Sequence, residues 1–265
     1  MSWAKCIIGI LATFIFHLFV AGNISKMIIP VGLVNNVYAI YGVESLITAI
    51  FFIVLIIAFG QRYRIGSTFK SFCNGILIGA PTLIVSIVAF IVSLVKGYRD
   101  FGGPALDKPS IIMYAVALFL GAGICEEFMT RAITMNFLRS AMGNTKKGTI
   151  LAIIISSVAF GLLHLINLSA GDVTGTMGQV LYAIGFGIML GAVYVRSNNI
   201  WANAVLHFLI DISLLMYGVI FRGQGYLISE LFGYSHVLLK SFGVFALTAG
   251  IGVFLLRGNK LGDEN

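Results

Sequence analysis

The chain has 265 residues, of which 59% are hydrophobic and only 10% charged, against about 25% charged in a soluble domain; its mean hydropathy is +1.01. Those figures exclude a soluble globular domain and define an all-α, polytopic integral membrane protein. The net charge of +7 does not indicate nucleic acid, because the basic residues stand in twos and threes between apolar runs, as topology determinants do.

A membrane helix needs about 20 mostly apolar residues. In chain order the expected spans are Lys5 to Ala21, Glu44 to Gly60, Phe72 to Val95, Pro109 to Leu138, Gly148 to Leu168, Met177 to Val195, Ile200 to Phe221 and Val237 to Leu256. That makes a bundle of about eight transmembrane helices and one domain over 1–265. The first run has the charge-then-apolar order of a signal peptide, but it is long and no clear small-residue cleavage site follows, so it reads as a retained span, with a cleaved signal as the alternative. Between Asn23 and Gly42, Pro30, Gly32 and paired asparagines mark a connection lying on the membrane surface or dipping into it. Pro81 should kink the third span. Gly75 with Gly79, and Gly187 with Gly191, have the small-xxx-small spacing of close helix packing. Cys6, Cys73 and Cys125 are odd in number and imply no disulfide framework.

Alternating loops set the orientation. With the N-terminus inside, Lys5, Arg62, Arg64, Lys70, Arg139, Lys146, Lys147, Arg196, Arg257 and Lys260 are cytoplasmic, while Lys26, Lys96, Arg99, Lys108 and Arg222 are not. Both termini are therefore expected in the cytoplasm, and the compact size points to a bacterial cell membrane.

The improbable residues are polar ones inside spans of the C-terminal half. Gly121 to Arg139 holds Glu126, Glu127 and Arg131, and each charge at a bilayer centre costs roughly 2.5 to 3.5 kcal/mol unless it faces protein or water. Glu127 and Arg131 are four apart and can pair. Glu126 is turned about 100° from Glu127 and has no partner on its own helix. In the span from Gly148, Phe160 and His164 are one turn apart, with Asn167 beyond. In the span from Ile200, Asn203, His207 and Asp211 form one stripe, with Asp211 placed to orient His207. His17 and His236 lack a nearby acid and read as packed or interfacial. A carboxylate beside a neutral imidazole can take a proton from water and pass it to a leaving amine. A second histidine can donate to an oxyanion. Two histidines and a glutamate are also a catalytic zinc shell, and either reading ends in hydrolysis.

Glu126-Glu127-x-x-x-Arg131, Phe160-x-x-x-His164 and His207-x-x-x-Asp211, in that order on three spans, resemble the signature motifs of the CPBP family. These are intramembrane endopeptidases related to the type II CAAX prenyl endopeptidases and to bacteriocin-processing and immunity proteins, the Abi or lysostaphin-resistance-A-like group, classed with the metalloproteases. The resemblance covers about 109–221 as a catalytic core. It implies Glu126 as the base that activates water, His164 as its partner, His207 and Asp211 at the oxyanion, and Glu127, Arg131, Phe160 and Asn203 in support. The family motif commonly ends in asparagine; Asp211 cannot donate when ionised and is read as the orienter of His207. The implied substrate is a peptide or protein in or at the bilayer, such as a bacteriocin or pheromone precursor or a prenylated C-terminus. An inactive immunity or scaffold protein and a proton-coupled transporter are the alternatives.

Metal stays open. A zinc site would use Glu126, His164 and His207, and Glu126 could not then be the free base. Soluble zinc hydrolases place two ligand histidines on one helix, whereas these stand on different helices, and Glu127 is tied to Arg131 and turned away. On straight helices Glu126 and His207 also sit at different depths. A glutamate-activated water without an obligatory ion is favoured, with Zn2+ as the alternative.

Overall fold

The computed structural model describes residues 1–224 and 228–257, and these are helical with no strand among them. Eight helices are long and apolar enough to cross a membrane: α1 (Trp3–Ile28), α2 (Val37–Ala58), α4 (Ala80–Phe101), α5 (Lys108–Ala141), α6 (Lys146–Ala170), α7 (Val173–Ser197), α8 (Ile200–Phe221) and α10 (Val237–Leu256). Two short helices complete the set, α3 (Phe69–Ile78) and α9 (Ile228–Phe232). Lys260, counted in the orientation argument, lies outside the described residues.

Short polar side chains start the helices. Asn36, Thr68, Asp107, Thr145, Asp172 and Asn199 each accept a backbone N–H in the first turn that follows them, filling donors that have no partner inside a helix. The expected third span is corrected. Its polar start winds into α3, the chain breaks at Gly79, and Pro81 stands in the first turn of α4 instead of kinking a continuous helix, where a missing N–H costs nothing. The Asn23–Gly42 connection is mostly helical, closing α1 and opening α2 around a 3-10 turn at Val31–Leu33.

The glycine pairs serve packing, as expected. A Cβ on Gly75 would stand 2.5 Å from Ala202 Cβ of α8, and one on Gly187 would stand 2.7 Å from Ser157 Cβ of α6. All three cysteines are free.

The bundle is built around α5. From Gly121 to Arg139 every residue except Glu126 is buried, and α1, α2, α6 and α8 all pack against this stretch. It departs from α-helical geometry. Phe119–Glu126 and Phe128–Met135 are π-helical, flanked by α-helical Lys108–Leu118 and Asn136–Ala141. Such wide turns mark functional sites more often than scaffolding. Helix α6 tightens instead, passing at His164 into a 3-10 turn that runs to Ala170.

Candidate active site

Glu127 and Arg131 lie at the centre of α5 with side chains 0% and 2% exposed, joined at 2.7 Å. Removing two charges from water opposes folding strongly unless their remaining valences are filled, and here they are. Arg131 also donates to Thr130 Oγ1 at 2.6 Å and to the Gly187 carbonyl at 3.3 Å, and its guanidinium lies over the Phe160 ring, 5.2 Å from the centroid. Glu127 Oε2 accepts from Asn203 Nδ2 at 3.1 Å, and the same amide donates to the Leu190 carbonyl at 2.7 Å. The pair thereby ties α5 to α6, α7 and α8.

His207 sits between the adjacent glutamates. Its Nδ1 donates to Glu127 Oε1 at 2.9 Å, and its Nε2 faces Glu126 Oε2 at 3.6 Å and Asp211 Oδ2 at 3.7 Å. Two expectations are corrected by this. Asp211 comes near His207, but the hydrogen bond that fixes the ring is made by Glu127, because Asp211 reaches the opposite nitrogen. Glu127 is not turned away from the histidines either, since α5 presents both carboxylates to one ring across the π-helical junction. The expected difference in depth between Glu126 and His207 also disappears. Helix α5 has 34 residues, about 50 Å as an ideal helix against a core of about 30 Å, so Arg139 is no marker of the membrane face.

Phe160 is 3% exposed and meets both histidines edge to face, with centroids 5.1 Å from His164 and 5.6 Å from His207. His164 Nδ1 is 3.1 Å from the Phe160 carbonyl. A carbonyl only accepts, so Nδ1 carries the proton and Nε2 of the neutral ring keeps a lone pair.

Two cavities meet at Glu126, whose side chain is 27% exposed to them. One of about 260 Å³ is bordered by Glu126, His164, His207 and Asp211 together with Asn167 and Gln179. The other, of about 300 Å³, reaches His17 and Ser45. Tyr41, Glu126, Phe160, His164 and Asn167 border both. Tyr41 and Gln179 went unnoticed in the sequence, where neither belongs to a motif; the only signal was a tyrosine opposite a glycine-rich turn. His17, on the second cavity, has a buried Nδ1 without a hydrogen-bond partner among the described residues. His236 is an exposed residue at the start of α10.

The zinc alternative asks for three ligands converging on one point. Among the described residues no three His, Cys, Asp or Glu side chains do so. His207 Nδ1 is held by Glu127 and His164 Nδ1 by the Phe160 carbonyl, as metal-ligating histidines are held, so the chemistry of the side chains suits the ion while their spacing in this structure does not bring three of them together.

Fold and site together define a polytopic helical membrane protein with a carboxylate–histidine cluster buried at the meeting of α5, α6 and α8. Residues 108–213 match the family model described as type II CAAX prenyl endopeptidase Rce1-like. The matched stretch contains all three motifs and agrees with the CPBP resemblance read from them. No curated protein matches the chain.

Proposed function

We propose that the protein is a membrane-embedded endopeptidase that hydrolyses a peptide bond in a membrane-associated peptide or protein with water activated by Glu126. The observation that carries the reading is the convergence of Glu126, His164 and His207 on one cavity walled by Phe160. The matched family, whose description is that of a peptidase, supports the same reaction class.

In this mechanism a water in the cavity loses its proton to Glu126 as its oxygen attacks the scissile carbonyl carbon. Carbon–oxygen bond formation pushes the carbonyl electron pair onto oxygen. His207, held by Glu127, turns Nε2–H toward that oxyanion. The C–N bond then breaks, and the amine leaves with the proton that Glu126 took, passed directly or through the Nε2 lone pair of His164. Asp211 faces the same His207 nitrogen at 3.7 Å. Glu127, Arg131 and Asn203 hold the ring in place. CAAX-type processing, bacteriocin or pheromone maturation and self-immunity are all compatible with this chemistry. The lysine and arginine distribution supports both termini in the cytoplasm.

The test is cleavage by purified protein in detergent micelles of quenched-fluorescent apolar peptides, with and without a C-terminal isoprenoid. Hydrolysis by wild type and none by Glu126→Gln is expected; no hydrolysis by either, or equal hydrolysis by both, overturns the proposal.

A further inference from the structure

The cluster contains few hydrogen-bond donors for an oxyanion. Asp211 as a carboxylate accepts only. Asn203 spends its amide on Glu127 and on the Leu190 carbonyl. His207 has one cavity-facing N–H, and two carboxylates lie within 3.7 Å of it. Oxyanion sites gain much of their effect from donors aimed in advance at the developing charge, so a second donor is to be sought on the walls of the cavities.

Tyr41 meets the requirement. It comes from α2, outside the stretch matched to the family model, and borders both cavities where they meet at Glu126. Its hydroxyl lies against the α-carbon of Gly121, so closely that any side chain there would collide with the Tyr41 oxygen. Gly121 precedes Glu126 by five residues on a π-helix, whose hydrogen bonds run between residues five apart, so the two stand one wide turn from each other. The hydroxyl is within electrostatic reach of Glu126 and Asp211. Its position is fixed by the seam between α2 and α5, where Cys125 Sγ donates to the Ser45 carbonyl at 2.9 Å and a Cβ on Gly42 would stand 3.5 Å from that of Ala117. A phenol there borders both cavities and carries an O–H that can donate.

We propose that Tyr41 is a further catalytic residue, its hydroxyl donating to the oxyanion opposite the donor of His207. The inference rests on the endopeptidase reading. The proton stays on Tyr41 throughout, so the step makes and breaks no covalent bond beyond those already described.

The experiment measures kcat and KM on the same quenched-fluorescent peptides for wild type, Tyr41→Phe and Glu126→Gln. Removing one oxyanion donor lowers kcat on the order of a hundredfold, so Tyr41→Phe is expected to lose about that factor with KM and thermal midpoint unchanged. Gly121→Ala, which pushes the ring aside, should lose kcat in the same way wherever it folds. A Tyr41→Phe protein with wild-type kcat while Glu126→Gln is dead overturns the role of Tyr41 and leaves the endopeptidase reading standing. A change confined to KM reassigns Tyr41 to substrate packing and also overturns it. Full activity in Glu126→Gln, or no cleavage by wild type, removes the reading on which the inference rests.

Discussion

His207 Nδ1 and Glu127 Oε1 lie 2.9 Å apart, and this bond joins the buried ion pair to the cavity. Glu127 is shared three ways, with Arg131, Asn203 and His207. One carboxylate thus neutralises the arginine, anchors α8 and sets the ring plane of the histidine that faces Glu126.

Glu127→Gln should therefore reduce accumulation in the membrane as well as activity. Breaking a buried pair by removing one partner costs about 3 to 5 kcal/mol, and here it would also free the His207 ring. Yield and thermal midpoint in detergent measure this; a variant that accumulates and melts like wild type would show that Arg131 does not need Glu127.

Glu126→Gln behaves oppositely. It keeps size and removes a charge from the bundle, so accumulation and melting should hold while turnover drops at least about a hundredfold, the scale of a lost general base. Retention of more than a small fraction of turnover rules Glu126 out as the base.

His164→Ala and His207→Ala are each expected to lose about a hundredfold in rate. Phe160→Leu carries weight because the ring touches both histidines and the Arg131 guanidinium. Two edge-to-face contacts are worth roughly 1 to 3 kcal/mol together, so this variant should lose thermal stability and rate in step. Loss of rate alone would mean that the ring serves the chemistry and not the packing.

Asp172, between α6 and α7, gives a pH prediction outside the membrane. Slight burial raises its pKa, but hydrogen bonds from Ser229 Oγ at 2.7 Å, Ser229 N at 2.9 Å and Gly175 N at 2.8 Å outweigh that and hold it below the usual carboxylate value. A depressed folded pKa contributes stability that is present above the unfolded value of about 3.9 and is lost as pH falls through the folded one. Melting of wild type and Asp172→Asn should differ near neutrality and converge as pH falls below the usual carboxylate range; a difference that persists unchanged there contradicts the assignment.

Elemental analysis of active protein addresses the ion. The metal-free mechanism expects no stoichiometric zinc and full activity after chelation. Zinc at one per chain, lost with activity and restored by re-addition, would refute that mechanism.

Span number and the three motif-bearing helices were legible because a charge in an apolar run is so costly that it stands out without any structure. The Glu127–Arg131 pair followed from helical spacing alone. What spacing could not give was the π-helical winding of α5, which turns two adjacent carboxylates toward one imidazole and makes Glu127, not Asp211, the hydrogen-bond partner that holds His207. Tyr41 was hidden for another reason: it is an unremarkable tyrosine 85 positions before Glu126 in the numbering, and its meaning depends on a glycine of another helix.

The Met1 amino group lies 3.3 Å from the Ser140 carbonyl, at the end of the bundle where α1 starts and α5 finishes. Tyr41 near the start of α2, Asn167 at the close of α6 and Gln179 near the start of α7 all border the cavities from the other end. A tether at that end would consequently hold the molecule about one bilayer thickness from these cavity-lining side chains and leave them clear of a sensor surface when peptide capture is followed in real time.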